Sequence, residues 1–186
     1  MKLDLGNLTA KVERYKSILQ NTIDYRAKWE PEIKPLITKT LRSINKKVKL
    51  GGKIEINDNM ENLGVIILNL GKEKSGISEF IPDSDIKRSM IKSNGALIFQ
   101  QLFNGKIMVM VLPPHIEGYG EPRPPKNLEI VRPHELTPGY ILRYVDQLIS
   151  EVSTWEDYDD DQPTVNKIGF GNQQLILDGA EEQEEE

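Results

Sequence analysis

The stretch GALIFQQLFNGKIMVMVLP, residues 95–113, decides the fold, because two apolar runs flank its Asn104-Gly105 pair. Asn-Gly between two strand-like runs is typical of a β-hairpin with a two-residue type I′ turn. On one face this turn predicts the cross-strand pairs Leu102–Ile107, Gln100–Val109 and Ile98–Val111. On the other face the pairs are then Gln101–Met108, Phe99–Met110 and Leu97–Leu112.

Both faces of this hairpin are largely apolar, whereas an antiparallel hairpin with one solvated face alternates apolar and polar residues. We therefore expect helices of the chain to cover one face. The other face requires a second layer, which either the C-terminal tail or another subunit supplies.

Helices are predicted on both sides of the hairpin. Apolar residues in 7–48 recur at spacings of three and four, which is the helical period. Pro31 and Pro35 predict a kink or a break near 29–35, so this segment forms a helical hairpin, about 8–29 and 32–48, or one kinked helix. Near the C-terminus, Thr137 caps a strongly amphipathic helix and Pro138 takes its first position.

The remaining patterns predict strands and a tail. KIEIN, GVIILNL and NLEIV read as strands, whereas 71–94 reads as a loop followed by a helical turn through 86–91. The prediction is an α+β fold with a mostly antiparallel sheet of about five strands, a C-terminal helix and an acidic tail. Three segments follow from it: 1–50 helical, 51–156 sheet plus helix, and 157–186 acidic and extended.

Charge is distributed unevenly along the 186 residues. The net charge of −5 divides into +7 over residues 1–50, −1 over 51–150 and −11 over 151–186. A basic start and an acidic end indicate two kinds of partner, or attraction to each other. The absence of cysteine excludes disulfides and thiolate chemistry. No apolar run approaches the ~20 residues of a membrane span, and no secretory leader is recognisable at the start.

The basic helix 36–49 and the acidic tail are the candidate contact segments. In the helix, Lys39, Arg42, Lys46 and Lys47 form a basic surface that docks the acidic tail of the same chain or of a neighbour. The alternative is that this surface meets nucleic-acid phosphates. In the tail we assign contacts to Asp159, Asp160 and Asp161 and to two apolar islands, Ile168, Phe170, Leu175 and Leu177.

The proline-rich stretch PPHIEGYGEPRPPK, 113–126, reads as a stiff connector. Prolines fix φ and lack an N–H donor, so we expect this loop not to extend the sheet. A stiff loop loses little entropy when it is contacted. Tyr119 is its predicted contact anchor, because tyrosine combines a flat apolar ring with one polar tip.

No catalytic, metal or cofactor site is predicted. His115 and His134, with Glu117 and Glu135 as candidate metal partners, fit polar loop or cap roles better than chemistry. Asp157, Asp159 and Asp161 have the spacing that begins a calcium loop. Gln162 and Ile168 then occupy places that require Gly and Glu, so a solvated acidic patch is favoured.

Two resemblances extend this interpretation. The passage VMVLPPHIEGYGEPRPPKNLEIV resembles the strand, proline loop and strand of ubiquitin-conjugating-like and RWD domains. The catalytic cysteine of that enzyme family is absent, so this likeness implies a non-catalytic relative. YGEPRPPK, STWEDYDDDQP and IGF resemble segments of small proteins from Bacteroidetes and their crAss-like phages. Among such phages, proteins of this size include virion ring, collar and tail components.

The sequence therefore favours a non-enzymatic structural subunit of a larger complex, with other protein subunits as partners and a homo-oligomer expected. The expected instance is a phage virion ring or collar, found in the host cytoplasm and then in the virion. The first alternative is a nucleic-acid-associated or adaptor module that uses helix 36–49 and is autoinhibited by its acidic tail. The second is an enzyme that uses His115 or His134.

Overall fold

The computed structural model describes residues 5–81 and 87–154. The α+β prediction is confirmed: a long N-terminal helical segment, a five-stranded antiparallel sheet and a C-terminal helix. The helices are α1 Gly6–Lys28, α2 Lys34–Val48 and α3 Pro138–Ser153. The strands are β1 Lys53–Asn57, β2 Val65–Asn69, β3 Lys72–Phe80, β4 Lys87–Ser93, β5 Ala96–Gln101, β6 Ile107–Leu112, β7 His115–Ile116 and β8 Lys126–Val131. The predicted acidic tail lies outside the described residues, and the division into three segments stays a prediction.

The N-terminal segment is one continuous helix rather than a helical hairpin. Helix α1 passes into α2 through a π-helical turn, Trp29–Ile33, in which the N–H of Lys34 donates to the carbonyl of Trp29. A proline has no N–H, and its ring crowds the carbonyl four residues earlier. The wider π-helical turn therefore accommodates Pro31 and Pro35 without ending the helix. Of the two predicted forms, the single long helix is the one observed, and the kink or break predicted at 29–35 is a local widening of it.

The main sheet has the strand order β1-β2-β5-β6-β8, and all neighbours are antiparallel. The predicted β5–β6 register is wrong by one residue, because Gln101 lies opposite Ile107 instead of Met108. The turn contains three residues: the N–H of Gly105 donates to the carbonyl of Leu102, and Leu102 N–H donates to the carbonyl of Lys106. Gly105 has φ +76°, which is typical of a type I turn followed by a left-handed bulge residue.

This register gives the hairpin one fully buried face. Its members are Leu97, Phe99, Gln101, Ile107, Val109 and Val111, each exposed by 1% or less. Both α2 and α3 contribute to the same core cluster, so the expectation that helices cover one face is confirmed. The helical side chains in that core are Ile37, Leu41, Ile141, Tyr144, Val145 and Leu148.

The opposite face of the hairpin, which we call the outer sheet face, is also apolar. Ala96 and Met110 are buried there, and Ile98, Met108 and Leu112 are half-buried. None of the five belongs to the cluster that α2 and α3 cover. The second layer expected over this face stays a prediction.

A second sheet with the order β3-β4-β7 continues the first. The β2–β5 pairing runs directly into the β3–β4 pairing across Gly71 and Gly95, whose φ values are +90° and +92°. The prediction of a helical turn over 86–91 is therefore wrong for 87–91, because these residues belong to β4, which pairs with β3. The expectation that the proline loop cannot extend a sheet is also wrong: only the prolines lack an N–H, and β7 pairs with β4.

Strand β3 forms an edge of this second sheet. Its pairing with β4 shifts between Lys74 and Ser78, and Gly76 adopts φ +83°. Three residues of β3, 75–77, therefore lie opposite Met90 alone, and extra residues of this kind make a β-bulge, which bends and twists the strand locally. Lys72, Glu73 and Lys74, before the bulge, are exposed charges.

Helix α3 begins as predicted, with Thr137 Oγ1 accepting from the N–H of Tyr140 at 3.4 Å. On its buried face the hydroxyl of Tyr144 donates to Glu129 Oε2 of β8 at 2.7 Å. Burial, and then this hydrogen bond, raises the pKa of Tyr144 from 10.0 to about 12. The contact joins α3 to the sheet.

This raised pKa predicts an alkaline loss of stability. Because the unfolded chain ionises tyrosine near pH 10 and the folded chain only near pH 12, the stabilisation is complete below pH 10 and is lost as pH rises to 12. The loss amounts to about 3 kcal/mol at most. Urea unfolding between pH 8 and 12 should show this slope in the wild type and a smaller slope in Tyr144→Phe. Equal slopes would contradict the assignment to Tyr144.

Candidate functional site

Helix α1 has no buried residue, and all of its residues from Gly6 to Asn21 are exposed. Its 23 residues span about 35 Å at the α-helical rise. Large apolar side chains recur on it at spacings of three and four, as in the seam of a coiled coil. We call this set the apolar stripe, and its members are 41–62% exposed: Leu5, Leu8, Val12, Tyr15, Leu19 and Ile23. A surface helix normally buries such a set, so the stripe is an available contact surface.

The C-terminal end of α1 is held on the sheet by close contacts with glycines. A Cβ placed on Gly105 would lie 2.6 Å from Tyr25 Cβ, so the β5–β6 turn meets the helix with no room for a side chain. Beside it, Arg26 Nε donates to the carbonyl of Phe103 at 2.7 Å. Only a glycine at this turn allows the helix to approach so closely.

The junction between α1 and α2 is fixed by one indole and one lysine. Trp29 is 4% exposed and packs on Gly64, at the start of β2. Lys34 Nζ lies 2.5 Å from Asp58 Oδ2 and 3.0 Å from Glu30 Oε2. These hydrogen bonds, chiefly the one to Asp58, raise the pKa of Lys34, so it remains charged. The base of α1 is thus rigidly placed, whereas the rest of the helix extends beyond it.

A groove of about 580 Å³ lies between α1 and the β5–β6 turn. Its lining contains three cations, Arg14, Lys106 and Arg132, beside the apolar side chains of Ile18 and Tyr25, and no carboxylate among the described residues. We call it the basic groove. Arg14 and Lys106 have no carboxylate partner within the described chain. Arg132 forms an ion pair with Glu135, in which Nη1 lies 3.5 Å from Oε1. The groove is therefore a positive surface with apolar patches, in which two of the three cations have no described carboxylate partner.

The basic side chains predicted on helix 36–49 are only partly brought together. Lys39, Arg42 and Lys46 are exposed and, at spacings of three and four, share one face of α2. Lys47 lies elsewhere, in a cleft of about 350 Å³ between α2 and α3 that Val48 and Leu142 also line. The predicted basic surface thus has three members rather than four.

The two histidines lie at opposite ends of the sheet. His115 pairs with Ser93 of β4, whereas the ring of His134 lies tilted against that of Tyr25, with centroids 6.2 Å apart, beside the β5–β6 turn. The six residues of β6 separate these ends by about 20 Å. Glu117, the metal partner considered for His115, instead bonds to Lys72 Nζ at 2.5 Å, which lowers its pKa.

The other predicted contact residues are placed as follows. Tyr119 is half-buried in a tight turn, where its N–H donates to the carbonyl of Ile116 at 3.2 Å. It is therefore a smaller anchor than the sequence suggests. The tail residues lie outside the described residues: Asp159, Asp160, Asp161, Ile168, Phe170, Leu175 and Leu177.

Sequence reasoning missed the basic groove and the exposure of the stripe. Arg14, Lys106 and Arg132 come from three distant segments, so no local pattern connects them. The stripe itself was visible as a helical period, and its three-four alternation from Leu5 to Leu19 is the pattern of a helix that pairs with another helix.

Comparisons of the chain with models of protein families, with curated proteins and with solved structures find no match. Within 5–81 and 87–154, no three His, Asp or Glu side chains are grouped closely enough to hold a metal ion. No helix in these ranges has the length and apolar character needed to cross a membrane.

Proposed function

We propose that this protein is a non-enzymatic structural subunit of a larger complex, and that copies of itself are its main partners. The observation that carries the proposal is the apolar stripe of α1, in which six large side chains are 41–62% exposed on a helix with no buried residue. Complete burial of a fully exposed side chain of this size is favourable by about 1.5–3 kcal/mol, so covering these half-exposed ones is favourable by about 1 kcal/mol each. A neighbouring subunit that covers the stripe therefore gains enough free energy for stable association.

The shape of the chain supports the same proposal. Helix α1 projects from a base that Tyr25, Trp29 and Lys34 fix, so the stripe is presented in a defined direction. The outer sheet face, whose side chains are buried or half-buried, supplies a second, partly accessible apolar surface on the same subunit. Two separate contact surfaces on one small domain suit repeated assembly, and a virion ring or collar assembled in a phage host is the instance that the resemblance implies.

The test is the mass of the full chain in solution, by light scattering, for the wild type and for Val12→Lys with Leu19→Lys. We expect the wild type to associate, and the variant to raise the dissociation constant at least about 100-fold, because two stripe side chains are lost from the contact. Ala10→Lys with Gln20→Lys is the matched control, since it adds the same charge outside the stripe, at Ala10 on the opposite side of α1 and at Gln20 on the flank of the stripe.

Circular dichroism would verify that both variants keep their helices. A wild type that stays a monomer at every concentration would contradict self-assembly. Equal effects of the two variants would show that charge, rather than the stripe, controls association.

A second candidate function is nucleic-acid binding through α2. It is favoured by Lys39, Arg42 and Lys46, which share an exposed face without a carboxylate partner among the described residues. Phosphate contacts make binding weaken steeply with salt. Titration of labelled DNA and RNA at two salt concentrations decides the matter: binding that lacks salt dependence, or that persists after Lys39→Glu with Lys46→Glu, excludes this function.

A further inference from the structure

We infer that the basic groove binds the acidic run 157–161 of a neighbouring copy, so that subunits join head to tail. This inference rests on the proposed assembly function and specifies one of its contacts. It goes further in naming the residues on both sides and the direction of assembly.

The chemistry of the groove matches that run. Arg14, Lys106 and Arg132 face the cavity with no carboxylate among the described lining residues. The run DYDDD carries four carboxylates in five residues and one aromatic ring at Tyr158. Charged side chains of opposite sign steer and orient such a contact. Ile18 and Tyr25 offer apolar surface on which the ring of Tyr158 can pack. A phosphate backbone would make no use of that apolar surface.

The groove is better placed for this role than the basic face of α2. It is concave and about 580 Å³ in volume, so a bound segment is contacted from α1 on one side and from the β5–β6 turn on the other. Lys39, Arg42 and Lys46 instead lie on one helix face, which contacts a bound segment from a single side. The docking of the tail on helix 36–49, expected from sequence, is thus reassigned to the groove.

The positions of the two ends indicate a neighbour rather than the same copy. Helix α3 ends near the start of β5, since a Cβ on Gly95 would lie 3.1 Å from Val152 Cγ1. The groove lies beyond the other end of β5, about 20 Å away along its six residues. From Thr154 to Asp161 is only seven residues, or about 25 Å when fully extended. The segment would therefore have to be almost fully extended for the run to reach the groove of its own copy. Binding to the groove of a neighbouring copy does not require this extension.

A contact between two different surfaces of identical subunits is heterologous. Such contacts repeat, and they close into a ring when the rotation between subunits permits. Because α3 ends at one end of the sheet and the groove lies at the other, such a contact would give the assembly a polarity.

The absence of cysteine permits a direct test by disulfide trapping. Ser17→Cys lies in the groove lining, and Gln162→Cys follows the acidic run. The two full-length variants are prepared separately, mixed and oxidised. We expect a cross-linked dimer that forms about tenfold faster or more than with Lys46→Cys in place of Ser17→Cys, because a bound tail has a high effective concentration at the groove. Adding Arg14→Glu and Lys106→Glu to the Ser17→Cys chain should remove this advantage.

Each other outcome overturns the inference in a recognisable way. Equal rates at Ser17→Cys and Lys46→Cys, in a wild type that light scattering shows to be oligomeric, refute the groove contact and leave the assembly function standing. A chain carrying both Ser17→Cys and Gln162→Cys that closes only on itself, in a monomeric wild type, refutes both. A labelled oligonucleotide that binds only while Arg14 and Lys106 are intact, without any cross-link, assigns the groove to nucleic acid.

Discussion

Gly64→Ala is expected to destabilise the protein by about 3 kcal/mol, although it adds a single methyl group. The new Cβ would lie 2.3 Å from Trp29 Nε1 and 2.8 Å from Trp29 Cε2, and real contacts never become so short. Trp29 is 4% exposed and rigid, so the indole cannot turn aside without leaving its place in the core. Because Trp29 begins the π-helical turn, its displacement also loosens the base of α1.

Urea unfolding measures the loss, and indole fluorescence locates it. In a Trp155→Phe background Trp29 is the only indole, and its emission should shift to the red in Gly64→Ala. Gly139→Ala is the control, since its Cβ would meet nothing closer than Thr137 Oγ1 at 3.8 Å. This control should change stability by less than about 1 kcal/mol. An unshifted emission in Gly64→Ala would contradict the packing of Trp29 on Gly64.

Gly105→Ala is expected to detach α1 from the β5–β6 turn. Its φ of +76° already disfavours an L residue by about 1–2 kcal/mol. The added Cβ would also lie 2.6 Å from Tyr25 Cβ and 2.8 Å from the backbone nitrogen of Arg26. Neither neighbour is the end of a flexible side chain, so the helix itself must move.

The chain offers a matched control in Gly118→Ala. Gly118 has φ +80° but no atom within 4 Å of its Cβ position, so it reports the backbone strain alone. The extra loss of stability in Gly105→Ala, expected to be about 2 kcal/mol, then measures the contact with α1. Hydrogen exchange over residues 6–28 should speed up in Gly105→Ala and remain unchanged in Gly118→Ala. Equal exchange in both variants would show that the turn does not hold the helix.

Long periodic elements were predictable from the sequence. Helix α3 was anticipated down to its Thr137 cap, because one side-chain oxygen and one proline determine where it begins. A single helix through Pro31 was one of two predicted forms, and the sequence could not choose between them, since the π-helical turn that tolerates the proline depends on Trp29 finding a place in the core. Helix propensity describes the isolated segment, whereas the packing of Trp29 in the core determined the conformation of the folded chain.

The β5–β6 register shows a similar limit. Asn104-Gly105 suits a two-residue turn and also a three-residue turn with a left-handed glycine, and the two differ by one residue in pairing. Burial decided between them, because the observed register directs Phe99, Val109 and Val111 together into the core. The one-residue shift also changed which side chains form the outer sheet face.

The candidate contact surfaces also differ in how far the local sequence reveals them. Local composition revealed the charge of helix 36–49 and of the acidic run, because charge is visible residue by residue. The basic groove depends on the approach of α1 to Gly105, a contact across some eighty residues of sequence. No pattern within a single segment of the chain predicts such a long-range contact.

The bulge at Gly76 also limits edge-to-edge pairing of β3 with other chains. An open β edge is a template on which other chains can stack without limit, as in amyloid. The twist at Gly76 and the charges of Lys72, Glu73 and Lys74 make β3 a poor template. Backbone pairing of β3 with other chains is thereby discouraged, so association of copies would have to use side-chain contacts instead.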